Sequence, residues 1–260
     1  MNPFFDQTLA EGYRSRSQKI RVLTEAWVHR NLYCPRCGNR PLSQFPNNRA
    51  VADFFCPACR NQYELKSKGG PMGEKIADGA YETFLRRITS DSNPDFFILR
   101  YHASQLCVED LWVIPKQFFT PAVVEKRKPL AASARRAGWV GCNILLGDIP
   151  RSGQIPMIRG RVPAPRETVL AQMRRSAQLT VDGIDARGWL LDVLRCVERL
   201  PEQFTLQDIY RFEGELAERH PENHNIRPKI RQQLQALRDR GILRFREPGH
   251  YQRTFPGAGM

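Results

Sequence analysis

The sequence predicts two joined units: an α/β mixed sheet flanked by helices over residues 1–182, then a mainly α winged helix-turn-helix over 183–260. Three observations carry this division. The first stretch alternates helix-period runs with short β-rich runs, two of them wrapped around cysteine turns. The second reads helix, helix, helix, hairpin. Charge divides at the same place: residues 1–182 hold 27 basic and 16 acidic side chains, residues 183–260 hold 13 and 11, so +11 of the net +13 lies in the first unit.

Each element has a local reason. Residues Ser17–Leu32 set Ile20, Leu23, Trp27 and Val28 on one side of a helix. The runs AVADFF and QYELK read as strands around the second cysteine turn. DGAYETFLRRI predicts a helix with Ala80, Phe84, Leu85 and Ile88 inward, and DFFILRY and LWVIP predict strands. A basic stretch from Lys126 to Arg136 precedes the apolar run WVGCNILL. RVPAPRE at 161–167 breaks the pattern before a helical connector to about Leu179. In the second unit ARGWLLDVLRCVERL is amphipathic and stops at Pro201. Thr205 and Asp208 form a near capping box for the next helix. Asn225 can cap a third helix, in which Ile226, Ile230, Leu234 and Leu237 recur at helical spacing and Gly241 marks the stop. ILRFRE-PG-HYQRTF has the form of a hairpin with a Pro-Gly turn.

Composition narrows the function. Forty Lys and Arg against 27 Asp and Glu attract polyanions, with nucleic acid or an anionic membrane surface heading the list. A hydrophobic content of 41% suits a packed core rather than a basic disordered tail. No apolar run approaches the ~18 residues of a membrane span. The N-terminal run lacks the order of a signal peptide, so the expectation is a cytoplasmic protein with no membrane partner. An odd count of seven Cys disfavours a disulfide scaffold.

Two motifs carry chemistry. Cys34, Cys37, Cys56 and Cys59 form two C-x2-C pairs 18 residues apart, the spacing of a closed four-thiolate site for structural Zn²⁺. Around the second pair, Glu64 and Lys66 are two residues apart and share one strand face. A hairpin closed by the cysteine turn would bring Asp53 beside them. Two carboxylates on one face can hold Mg²⁺, and an adjacent lysine can orient a water or offset charge on a phosphate. D-x(10)-E-x-K is the core of a metal-dependent phosphodiesterase site. His220 and His224, in ERHPENHN, read instead as a surface loop, since no His lies between Cys37 and Cys56 to build a histidine-metal nuclease.

The chain resembles DpnI-type restriction endonucleases through SQKIRVLTEAWV, YCPRCGN, ADFFCPAC, YELKSK, DGAY, PKQFFTP, ARRAGWVGCNI, ARGW and IRQQLQALRDRGI. The likeness covers nearly the whole chain. It implies a PD-(D/E)XK catalytic domain with structural zinc, a C-terminal winged helix, and Mg²⁺-dependent cleavage of duplex GATC whose adenine is N6-methylated. It implies catalytic positions for Asp53, Glu64 and Lys66, with Asp53 and Glu64 holding Mg²⁺. Trp139 matches an aromatic of the family's methyladenine pocket. Ala52 replaces the proline of the motif's name, and the loop Gly69–Lys75 and the tail Pro256–Met260 fit less well. Arg135 and Arg136 beside Trp139, and Arg231, Gln232 and Gln235 on the outward side of the third C-terminal helix, are the expected DNA contacts. A prokaryotic cell and a monomer in solution are expected as well. One buried methyl gives about 0.8 kcal/mol, or about fourfold discrimination, so strict methyl dependence needs readings from both units. The competing reading is a zinc-ribbon and winged-helix regulator that binds DNA without cutting it.

Overall fold

In the computed structural model, residues 1–46 and 52–254 are described. The first unit opens with helix α1 (Arg16–Asn31) and the short strands β1 (Ser43–Gln44) and β2 (Phe54–Phe55). Strands β3 (Gln62–Gly69) and β4 (Lys75–Ala80) lead into α2 (Tyr81–Ile88). Strands β5 (Asp95–His102), β6 (Cys107–Ile114), β7 (Val124–Lys126) and β8 (Gly141–Leu145) follow. Strands β9 (Ile155–Arg159) and β10 (Val162–Pro163) and helix α3 (Arg166–Ala177) complete the unit. The main sheet has seven strands in the order β1-β2-β3-β5-β6-β9-β10, and a smaller one has the order β4-β8-β7. β3 and β5 run parallel in an otherwise antiparallel main sheet. The expected α/β mixed sheet is therefore what forms.

The two faces of the main sheet separate by strand period. Along β5, Phe97, Leu99 and Tyr101 join the apolar cluster under α1, with Leu23, Trp27 and Val28. Phe96 and Ile98 join the opposite cluster with Phe84 and Ile88 of α2 and Ile144 of β8. Glu64 and Lys66 of β3 pair with Phe96 and Ile98, so they point to this second side, toward β4. Tyr63 is opposite Asp95 and stacks its ring on Phe97 at 4.8 Å in the α1 layer.

Two predicted elements are shorter than the sequence suggests, since the strand at AVADFF forms only at Phe54–Phe55 among its described residues and the helix at DGAY starts late. The helix expected over 78–88 begins only at Tyr81, because Asp78–Ala80 pair with β8 as the end of β4. The register shifts between Asp78 and Ala80, a bulge at Gly79. Of the run AVADFF, residues 50 and 51 lie outside the described residues, as does the tail Pro256–Met260.

The second unit holds α4 (Ile184–Glu198), β11 (Gln203–Thr205), α5 (Leu206–Tyr210), α6 (Glu213–Arg219), α7 (Ile226–Asp239), β12 (Leu243–Glu247) and β13 (His250–Arg253). Thr205 and Asp208 make a full capping box. Asn225 occupies the N-cap of α7 without a side-chain capping bond; its own N–H donates to Asn223 Oδ1 at 2.8 Å. Gly241 follows with φ +69°, the left-handed stop that the sequence requires. β11 adds a third strand to the β12–β13 hairpin. Buried residues of α4 and α7 belong to the same apolar cluster as Phe96 and Phe119. Polar contacts also join the units: Asp148 accepts from Arg195 at 2.6 Å and Arg219 at 2.6 Å, and Glu198 accepts the Arg151 and Ser152 N–H groups at 2.6 and 3.0 Å. No helix among the described residues is long and apolar enough to cross a membrane.

Candidate active site

The cysteine turns are built twice on one plan. In the first, Cys34 N–H donates to Asn39 O at 2.8 Å and Gly38 N–H to Cys34 O at 2.7 Å. In the second, Cys56 N–H donates to Asn61 O and Arg60 N–H to Cys56 O, both at 2.9 Å. Both plans need a left-handed residue four past the first cysteine: Gly38 at φ +79° and Arg60 at φ +61°. The four sulfurs lie within 4.8 Å of one another, with Cys34–Cys59 and Cys37–Cys56 at 3.5 Å. A tetrahedral zinc with bonds of about 2.3 Å would hold its sulfurs about 3.8 Å apart. The set fits zinc with little movement and leaves no open position.

This cluster is tied to the sheet in two ways. Tyr63 Oη is 2.9 Å from Cys34 Sγ, so the residue before Glu64 touches a knuckle sulfur. Arg36, between the first two cysteines, makes two bonds of 2.6 and 2.7 Å to Asp95 at the start of β5. Asp95 is fully buried and also accepts from Asn61 Nδ2 and Lys116 N–H, both at 2.8 Å. The knuckles are thereby anchored to the two parallel strands.

The hairpin that they close does what the spacing predicts. Phe54 pairs with Tyr63, and Asp53 N–H donates to Tyr63 O at 2.9 Å, which sets Asp53 next to Glu64. Asp53 Oδ2 accepts the Leu65 N–H at 2.7 Å, fixing its carboxylate over β3. Lys66 Nζ donates to Glu64 Oε1. Asp53, Glu64 and Lys66 share a cleft of roughly 570 Å³ with the polar side of α1, where Arg16, Arg21 and Glu25 stand.

Burial dominates the electrostatics here. It raises the Asp53 carboxyl, and it lifts that of Glu64 to about 7 against the pull of Lys66. For Lys66 burial pulls the other way, but Glu64 and Asp78 outweigh it and the net shift is upward. The lysine is therefore held as an ammonium. Glu64 Oε2 is buried and has no hydrogen-bond partner. A buried anionic oxygen without a donor is costly, and a hard, oxygen-seeking cation such as Mg²⁺ satisfies it, so the donor set fits such an ion.

The sequence reading missed Asp78. It stands on β4 in the small sheet, and its Oδ1 accepts from Lys66 Nζ. Reading DGAY as the first turn of a helix hides this acid. The cleft arginines Arg16 and Arg21 were also missed; their only signal is their place on the polar side of α1.

The expected DNA contacts fall into two groups. Arg135 and Arg136 are exposed, and the Arg136 guanidinium lies 4.6 Å over the half-buried Trp139 ring. The indole covers Gly141 so closely that a Cβ there would come within 2.7 Å of it. On α7, Arg231, Gln232 and Gln235 are exposed while Ile226, Ile230, Leu234 and Leu237 are buried. Arg231 also donates to Tyr210 Oη at 2.8 Å. His220 stacks on Trp189 at 3.7 Å and bonds Asp192 at 2.9 Å, a packing role far from any cysteine turn in sequence.

The described residues thus form a mixed sheet with an acid–acid–lysine cleft, joined to a helical unit with an exposed basic helix. Residues 1–181 match the Dam-replacing family (DpnI) and residues 185–253 match the Dam-replacing HTH domain. The chain belongs to the DpnI family, so it is a DNA-binding restriction endonuclease.

Proposed function

We propose that the protein hydrolyses both strands of duplex DNA at GATC when the adenine is N6-methylated, as a Mg²⁺-dependent type II enzyme. Asp53, Glu64 and Lys66 are its catalytic residues and Cys34, Cys37, Cys56 and Cys59 hold a structural Zn²⁺. The observation that carries this reading is the half-buried Asp53–Glu64 pair beside an ammonium, in a cleft faced by two arginines. Mg²⁺ bound by Asp53 and Glu64 would supply positive charge to the phosphate and acidify a water.

The residues of the chain do the rest. Lys66 has three N–H donors, and two of them go to Glu64 and Asp78. The third can hold the attacking water or a non-bridging phosphate oxygen as charge grows there. Arg16 and Arg21 can take the backbone phosphates next to the cut. Residues 1–182 are the catalytic domain in this reading and residues 183–260 the winged helix. Trp139 stacks on the flipped or exposed methyladenine, with Arg135 and Arg136 on phosphates. Arg231, Gln232 and Gln235 read base edges in the major groove. The enzyme acts as a monomer in solution, in the cytoplasm of a prokaryotic cell.

The test is to incubate the protein and Mg²⁺ with one plasmid in adenine-methylated and unmethylated forms. Cutting of the methylated form alone is the expected result. Cutting of both forms would remove the methyl requirement, and retardation without cutting would favour a DNA-binding regulator.

A further inference from the structure

The acid on β4 has no place in the D-x(10)-E-x-K pattern, yet its side chain is only 4% exposed and ion-paired with Lys66. Asp78 Oδ1 also accepts the Gly79 N–H at 2.5 Å, at the bulge in the β4–β8 pairing. Its Oδ2 is buried without a partner. A carboxylate so enclosed is offset by a cation beside it, and Lys66 is the one that it touches. Glu64 holds the same ammonium from its own strand. The lysine is thus gripped from two sheets: by Glu64, two residues away on β3, and by Asp78, which reaches it from the β4-β8-β7 sheet.

From this we infer that Asp78 is a positioning residue for Lys66, fixing the direction of the ammonium through its carboxylate charge. A single partner two residues away leaves a four-carbon side chain free to swing. A second partner on another sheet removes that freedom and aims the remaining N–H. The small sheet has a second consequence. β8 leaves the Trp139 turn and pairs with β4, Cys142 opposite Asp78 and Gly141 opposite Ala80. The strand that begins under the indole therefore braces the residue that orients Lys66. This inference deepens the nuclease reading above and rests on Lys66 being catalytic.

Asp78→Asn is the informative variant, because the amide oxygen keeps the Gly79 bond and the volume while the charge is lost. Expected results are unchanged zinc content, a modestly lower melting temperature, unchanged affinity for methylated duplex, and single-turnover cleavage slower by about tenfold or more. Asp78→Glu, which keeps the charge, should recover part of the rate. Cleavage by Asp78→Asn within about twofold of the parent would overturn the proposal, and so would full recovery at high Mg²⁺, which would make Asp78 a metal ligand. A second readout does not depend on activity. In lysine-selective nitrogen NMR of the full chain, one slowly exchanging ammonium should vanish in Lys66→Ala and also in Asp78→Asn. Its persistence in Asp78→Asn would overturn the positioning role even if the parent cut no DNA, a result that would refute the nuclease reading separately.

Discussion

Two pieces of the molecule deliver an acid to Lys66, and they are built in opposite ways. The β2–β3 hairpin carries Asp53 and Glu64 and is closed by the second cysteine turn. The β4–β8 pair carries Asp78 and is shaped by a bulge at Gly79, with no metal ligand nearby in sequence. On the hairpin, cysteine spacing and strand period fix the geometry together. On β4 the geometry depends on pairing with a strand more than sixty residues away. Placement by a covalent spacing is robust and readable; placement by distant pairing is neither.

The largest expected effect breaks the hairpin side. Cys56→Ser should lose zinc, destabilise the first unit and abolish cleavage, because metal-binding free energy on the order of 10 kcal/mol is here also folding free energy. Metal analysis with a melting curve checks this, and a fully folded, fully active, zinc-free variant would contradict it. The β4–β8 strand pairing does not contain the metal, so Asp78→Asn should leave zinc in place.

A smaller effect follows from the anchor beneath the knuckles. Arg36→Ala leaves the fully buried Asp95 without its guanidinium, though Asn61 Nδ2 and Lys116 N–H remain as donors. Breaking a buried pair from one side costs about 3 kcal/mol. Urea unfolding should show this with zinc still bound; an unchanged midpoint would mean that the sheet, and not the ion pair, carries the knuckle.

The cysteines, Glu64 and Lys66 were legible because two-residue strand period and C-x2-C spacing are local rules. Asp53 followed from closing one turn. Helices α1, α4 and α7 were legible from apolar period, α3 as a connector after the RVPAPRE break, and Gly241 from the need for a left-handed stop. Asp78 was not, since Ala80, Phe84 and Ile88 at four-residue spacing extend the helical pattern back through Asp-Gly-Ala. Only the pairing with β8 makes those residues strand. β11 was missed because three residues are too few to show a period, and the single helix expected from Thr205 is split into α5 and α6 at Arg211–Phe212. The shared apolar cluster and the Asp148 and Glu198 contacts between units lie between residues far apart in sequence, where no local pattern reaches.

The smallest effect is one of pH, and it too separates the two sides. Burial lifts the Glu64 carboxyl to about 7. Below that pH its folded form carries a proton, and the proton competes with the cation for the same oxygens. Half-saturating Mg²⁺ should therefore rise as pH falls from 8 to 6, by up to about tenfold per unit below 7. Asp78→Asn should keep the downward-pH rise, since it leaves Glu64 in place. A half-saturating concentration that is flat over this range would remove Glu64 from the ion.

In the proposed function the Asp53–Glu64–Lys66 cleft cuts DNA and does not merely bind it. Lys66→Ala tests this most directly, measured for single-turnover cleavage and for affinity on one methylated GATC duplex at fixed salt. Cleavage should fall by roughly 10²-fold or more while affinity stays close to that of the parent. Cleavage retained in this variant would contradict the account and move the chemistry to another part of the protein.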